Sequence, residues 1–202
     1  MTHTTRNIVL LFFGLFGLGI LFLYISSDTH TVDTVLEKPT VTAETPSPVA
    51  DLTVYETRVK NALITVPDTD VKISLVDGRA SYGTTQDGGD VTLIKIIGGE
   101  RFSSTQTHLY ADIAIQSGGT GVFHYVGLFE VKGEQVAHLS SYFVGDRVNL
   151  TSTAVTPKEK NTYTLTVRYL DRKEGDAMVE EPSVEKEINA EVRNSLFVEN
   201  IF

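Results

Sequence analysis

Alternation of apolar and polar residues dominates the chain from about Leu52 onward. Val71-Lys72-Ile73-Ser74-Leu75 and Thr162 to Leu170 place apolar side chains at every second position, and Val184 to Val192 does so except at Lys186. That is the period of a half-buried strand. Shorter or more apolar stretches fit strands at Val59 to Val66, Arg79 to Tyr82, Val91 to Ile97, Ile113 to Ile115, Val122 to Glu130, Gln135 to Val144, Arg147 to Val155 and Leu196 to Val198. Turn residues punctuate them: Pro67-Asp68, Asp77-Gly78, Gly98-Gly99, Lys132-Gly133 and Gly145-Asp146-Arg147. Only Tyr55 to Lys60 reads as a helical turn. The pattern predicts a mainly β domain over 52–202: an antiparallel, strongly curved sheet, as a barrel or a sandwich.

The most apolar strands flank Lys132-Gly133. If those two residues form the turn, Val131 faces Glu134 and Phe123 faces Tyr142. One face then carries Phe123, Tyr125, Phe129, Val136, His138 and Tyr142. The other carries Val122, His124, Val126, Leu128, Ala137, Leu139 and Phe143. Both faces are apolar, so this pair is expected to be central and covered on both sides, with His124 and His138 on opposite faces. Phe123, Tyr125, His138 and Tyr142 are the candidate binding residues, at the rim of the hairpin. Asp77, Gly78, Gly118, Gly119, Gly121, Gly145, Asp146 and Arg147 are read as turn residues, the glycines for backbone geometry and Asp146-Arg147 as an ion pair.

Ahead of the domain the pattern changes. Ile8 to Ile25 is an uninterrupted uncharged, mostly apolar run. At ~1.5 Å per residue it is roughly 27 Å long, the thickness of a hydrocarbon core. Arg6 precedes it and Asp28 follows, which orients the N-terminus inward. The run exceeds a cleavable signal core and lacks a good small-x-small site. The expectation is a cytoplasmic segment 1–7, a transmembrane helix 8–25 embedded in the lipid bilayer, a disordered linker 26–51 rich in Pro, Thr and Glu, and an extracytoplasmic β domain 52–202. The location is then a cytoplasmic (inner) membrane, single-pass.

Charge and composition narrow the chemistry. The chain has no cysteine, which excludes disulfides and thiolate chemistry. Its net charge of −9, with no basic stripe, argues against nucleic acid as a partner. Gly118-Gly119-Thr120-Gly121 leads into a strand and lacks a following Lys-Ser/Thr, so it is not a phosphate loop. Asp87-Gly88-Gly89-Asp90 is too short for a calcium loop. The acids of Asp171 to Glu181 sit beside Arg172 and Lys173 and read as a solvated face. Neither a cofactor nor a metal site is expected. The leading expectation is an envelope binding or interaction module with an unidentified envelope protein or polymer as partner. The alternatives are a hydrolase of envelope polymers using the Asp171 to Glu181 acids or His138, and an oligomerising structural subunit.

Four motifs in order carry a family resemblance: Asp77-Gly78-Arg79-Ala80, Gly118-Gly119-Thr120-Gly121-Val122-Phe123-His124-Tyr125, Gly145-Asp146-Arg147, and Asp171-Arg172-Lys173-Glu174-Gly175-Asp176-Ala177-Met178. Asn61-Ala62 fits as well. Over most of 60–190 the chain resembles a family of bacterial exported proteins and lipoproteins that has no assigned activity. The resemblance implies an exported β fold. Where that family carries an acidic Asp-Leu-Asn-Gly-Asp-Gly-like stretch, this chain reads Gln106 to Asp112 with only Asp112 kept, so no cation loop carries over. The lipoprotein cysteine is missing too, and the 8–25 run takes its place as anchor.

Overall fold

The computed structural model describes residues 45–84, 88–158, 161–177 and 179–198. The expected segments 1–7 and 8–25, and the linker as far as 44, lie outside the described residues. Among the described residues no helix is long and apolar enough to cross a membrane.

The domain is mainly β, all antiparallel, and its sheets do not close. In chain order the elements are β1 (Ser47–Pro48), α1 (Thr53–Lys60), β2 (Leu63–Thr65), β3 (Lys72–Ser74), β4 (Arg79–Tyr82), β5 (Gly89–Arg101), β6 (Thr107–Ser117), β7 (Phe123–Lys132), β8 (Gln135–Asp146), β9 (Asn149–Pro157), β10 (Thr162–Asp171), β11 (Val184–Arg193) and β12 (Leu196–Phe197). One sheet runs β1-β5-β6-β7-β8, with β4 also paired to β5. A second runs β12-β11-β10-β9, and β2 pairs only with β3.

Strand β6 explains the layering. Leu109 to Ile115 is apolar at every position except Asp112, and every residue from Thr107 to Ile115 is buried. A strand apolar on both faces needs cover on both. Its odd-numbered residues, Leu109, Ala111, Ile113 and Ile115, join Phe129, Val131 and Tyr125 in a core closed by Val59, Ile64, Val66 and Leu75. On the opposite face Tyr110, with Val126, Leu128 and Val144, packs against Leu150, Leu165, Val167 and Val192 of the second sheet. An eight-residue helix is marginal alone. Helix α1 is held because Val59 inserts fully into the first core. Asp51 accepts from the Thr53 amide at 2.9 Å and its hydroxyl at 2.6 Å, which satisfies donors at the helix start.

Several expectations need correction. The linker does not extend to 51: Ser47 and Pro48 pair with Arg101 and Glu100, and the Val49 amide donates to Gly99 O. The Gly98-Gly99 pair does not end its strand. Strand β5 absorbs it through two irregularities, between Leu93 and Lys95 and between Ile96 and Gly98, and runs on to Arg101. Strand β8 is not central; the interior strands are β5, β6 and β7. Instead, β8 is an edge approached by Thr65 and Phe197, whose amides bond to the His138 and Ser140 side chains. Covering an edge with neighbouring segments in this way blunts it.

The hairpin register also differs. Lys132 pairs with Gln135, so Gly133-Glu134 is the turn, with Gly133 at φ +58°. Pairing runs regularly from there to Phe129↔His138 and then slips to Leu128↔Ser140. Leu139 is the extra residue of a bulge. From Ser140 to Phe143 the β8 side chains change face relative to β7, until a second slip between His124 and Tyr125 skips Val144 and restores the first relation. Tyr125 therefore pairs with Phe143, and Tyr142 pairs with Val126 on the opposite side.

Candidate functional site

The Leu139 bulge builds the site. It brings Phe143 beside Tyr125, ring centroids 5.4 Å apart and nearly edge-on at 64°, with Phe123 6.3 Å from Phe143 at 54°. The three rings stand at one end of the first core, where the Val66 to Thr69 turn closes in. Thr69 N donates to Val66 O at 3.1 Å. Pro67 occupies the second position of this turn, where its fixed φ suits. Asp68 occupies the third at φ +61°, where glycine is the usual residue. The Tyr125 hydroxyl donates to Asp68 Oδ2 at 2.6 Å. Burial, then the bond to Asp68, pushes the Tyr125 hydroxyl well above its ordinary range, so it stays a neutral donor.

Between these groups lies a cavity of about 470 Å³, lined by Asp68, Tyr82, Ser117, Phe123, Tyr125 and Phe143 among others. It is a broad depression open to solvent rather than an enclosed chamber, with aromatic walls and a few polar groups. Phe143 is 49% exposed, so a large apolar ring is left in water beside the opening.

The four expected binding residues are therefore separated. Phe123 and Tyr125 line the cavity. Tyr142 is turned away and packs at 5.6 Å on Phe197. His138 shares the face of Tyr125 but sits further along β8 with its ring 5.0 Å from Phe129. Its Nδ1 accepts from the Thr65 amide at 3.2 Å, and Nε2–H donates to Ser141 Oγ at 3.0 Å. Burial pushes its pKa down to about 4. Nδ1 thus docks β2 on the β8 edge, while Nε2 ties the ring back to its own strand.

The turn residues are local devices. Asp77 and Gly78 lie at φ +50° and +79° between the bridged Val76 and Arg79. A Cβ on Gly78 would crowd the Leu93 carbonyl at 3.2 Å. Gly118 has φ +47°, whereas Gly119 and Gly121 are not in the left-handed region. Gly145 leaves room for Val148, which a Cβ would meet at 2.8 Å. Asp146 Oδ1 accepts from the Val122 amide at 2.9 Å, and its Oδ2 pairs with Arg147 Nη1 at 2.9 Å. Arg147 also reaches the Thr120 carbonyl oxygen with Nη2. The Gly-Asp-Arg stretch thus pins the glycine loop that leads to Phe123.

Two polar constellations were not singled out from the sequence. Asp112, 1% exposed, accepts from His124 Nδ1 at 2.8 Å. A lone acid inside an apolar strand was the available signal. At the far end of the second core, Tyr110 donates to Tyr163 at 3.2 Å, Tyr163 lies 3.1 Å from His108 Nδ1, and His108 Nε2 lies 3.3 Å from Ser195 Oγ. This chain links the two sheets, and burial holds the His108 pKa below its ordinary value. Asp171, first of the acids in the charged loop, pairs with Lys186 at 2.7 Å. That hydrogen bond lowers its pKa, the reverse of what a general acid needs. Among the described residues no cluster of three His, Cys, Asp or Glu is placed to hold a metal ion.

Compared with protein-family models, with curated proteins and with solved structures, the chain matches none.

Proposed function

We propose that this protein is a membrane-anchored binding module. Residues 8–25 cross the cytoplasmic membrane with the N-terminus inside, and the two-sheet sandwich outside captures an envelope component in the Phe123–Tyr125–Phe143 cavity. The observation that carries the binding reading is the cavity itself, with the half-exposed Phe143 ring beside the Asp68 carboxylate. Burying such a ring under a ligand is favourable by roughly 1–2 kcal/mol at ~25 cal/mol per Å². The anchor reading rests on the length and flanking charges of the 8–25 run, and export agrees with the family resemblance.

Capture of envelope components by wild-type protein and by Phe143→Ala tests the binding reading. Specific retention by wild type, lost in the variant, is expected; equal retention removes the cavity from consideration. Protease digestion of a C-terminal tag on intact spheroplasts tests the anchor, and protection of the tag would sink it. The hydrolase alternative receives no support at His138, whose ring nitrogens bond to Thr65 and Ser141 rather than to an acid.

A further inference from the structure

The charge and ring arrangement of the cavity specify the kind of ligand. We propose that it binds an alkylammonium group, a primary amine or a quaternary ammonium on an envelope component. This inference rests on the binding reading above.

Three observations converge. First, the rings form an angled wall rather than a flat platform. Phe143 is tilted by 54° to Phe123 and by 64° to Tyr125, and Tyr82 is a further aromatic residue of the lining. A sugar ring stacks on one flat aromatic face. A compact cation is better served by several rings that present their negative faces from different directions. Second, the described lining residues include one carboxylate, Asp68, and no Lys, Arg or His. Among the described residues no side-chain cation pairs with Asp68; its partner is the neutral Tyr125 hydroxyl on Oδ2. Among the described residues no cation offsets this exposed carboxylate, in a chain whose net charge of −9 also favours cations. Third, Asp68 occupies a positive-φ turn position. Asp tolerates this left-handed turn position, and the turn closed by Thr69 N to Val66 O places its carboxylate at the mouth.

The chemistry is complementary in detail. An ammonium carbon shell meets Phe123 and Phe143 while its charge faces Asp68. A primary amine has N–H donors besides, and the Tyr82 and Ser117 oxygens are acceptors on the lining. Solvent reaches the mouth, so affinity for an isolated cation is modest, in the millimolar range, because exposed cation–π contacts are worth only about 0.5–1 kcal/mol each.

The test uses the full 202-residue chain in non-ionic detergent, followed by amide chemical shifts during titration. Tetramethylammonium chloride probes the cation alone. Glucosamine and N-acetylglucosamine share a sugar ring and differ in the charge of the nitrogen substituent. Tetramethylammonium and glucosamine should shift amides around Asp68, Ser117 and Phe143, with N-acetylglucosamine at least about fivefold weaker than glucosamine. Asp68→Asn keeps the turn and the acceptor for Tyr125, and should weaken both cations about fivefold while leaving the spectrum of the rest of the domain in place. Equal binding of the amine and its acetylated form, unchanged binding in Asp68→Asn, or no response to either cation overturns the ammonium assignment. In each of those cases Phe143-dependent capture of envelope material would leave the binding reading standing. Loss of that capture as well would remove both.

Discussion

The Tyr125 hydroxyl donates to Asp68 Oδ2 across 2.6 Å, joining β7 to a turn 57 residues earlier in the chain. This bond fixes the floor of the cavity to its lip. Tyr125 is buried and Asp68 is exposed, so the bond lies at the boundary between core and water. Tyr125→Phe keeps the ring packing and removes only the donor. It is expected to cost about 1 kcal/mol, the low end for a bond to a carboxylate because Asp68 recovers water. Chemical denaturation checks the loss. A cost beyond about 3 kcal/mol would mean the bond does more than tether the turn.

His138 makes stability pH-dependent. Burial lowers its folded pKa to about 4, whereas an unfolded histidine titrates near 6.5. Between those values the unfolded chain binds the extra proton, so stability rises with pH. The contribution is fully present above about pH 6.5 and is lost as pH falls toward 4, an effect on the order of 3 kcal/mol. The lowered pKa of buried His108 adds in the same direction. His138→Gln retains an acceptor for Thr65 N–H and a donor for Ser141, and should flatten the denaturation midpoint between pH 6.5 and 4.5. Carboxylates with lowered pKa values, Glu130 and Asp171, take over only below about 4.5. An unchanged slope in the variant would assign the pH response elsewhere.

Asp146 secures the glycine loop. Asp146→Ala removes the acceptor for the Val122 amide and the partner of Arg147. The expected cost is about 1–2 kcal/mol, with hydrogen exchange at Val122 accelerated about tenfold or more while exchange at Tyr110 and Val126 follows only global stability. Val122 exchange that merely tracks global stability would show that the loop is held by its backbone alone.

Gly98 lets the two sheets approach. A Cβ there would overlap Thr153 Oγ1 of β9, while it would meet the Tyr110 ring at an ordinary 3.6 Å. Gly98→Ala should cost about 1–3 kcal/mol by overpacking, and Thr153→Ala in the same chain should restore most of it. Thermal melting of the single and double variants reads the coupling; additive losses would mean the sheets do not meet at this pair.

Asp112 and His124 form a close acid–histidine contact, 2.8 Å apart with Asp112 1% exposed. Asp112→Ala leaves the imidazole N–H without its acceptor and is expected to cost about 2–4 kcal/mol, whereas Asp112→Asn, which keeps an acceptor, should cost less. Equal losses would show that the hydrogen bond is not the source.

Local signals carried much of the fold. The period-2 runs at Lys72 to Ser74, Thr162 to Asp171 and Val184 to Arg193 are strands in the structure, and Asp77-Gly78 turns the chain where the dipeptide suggests. Each depends on side chains within a few residues, so adjacent sequence is enough to read it. Strand β6 is the exception: the expected strand covers only Ile113 to Ile115, whereas β6 runs Thr107–Ser117, because His108 and Asp112 interrupt the apolar signal and are satisfied by partners, Tyr163 and His124, on other strands.

The site required the folded chain. Which of Tyr142 and Phe143 stands beside Tyr125 depends on one extra residue, Leu139, in the ladder. Alternation along β8 looks the same with or without that bulge, because the bulge is a relation between two strands. A single-residue slip exchanges the faces of everything beyond it. Asp68 shows the same separation. The Pro67-Asp68 dipeptide predicts a turn, but the turn acquires a role only because Tyr125, brought to it by β6 and β7, presents its hydroxyl there. Periodicity is written residue by residue, while register and long-range pairing are set by the packing of the whole sheet.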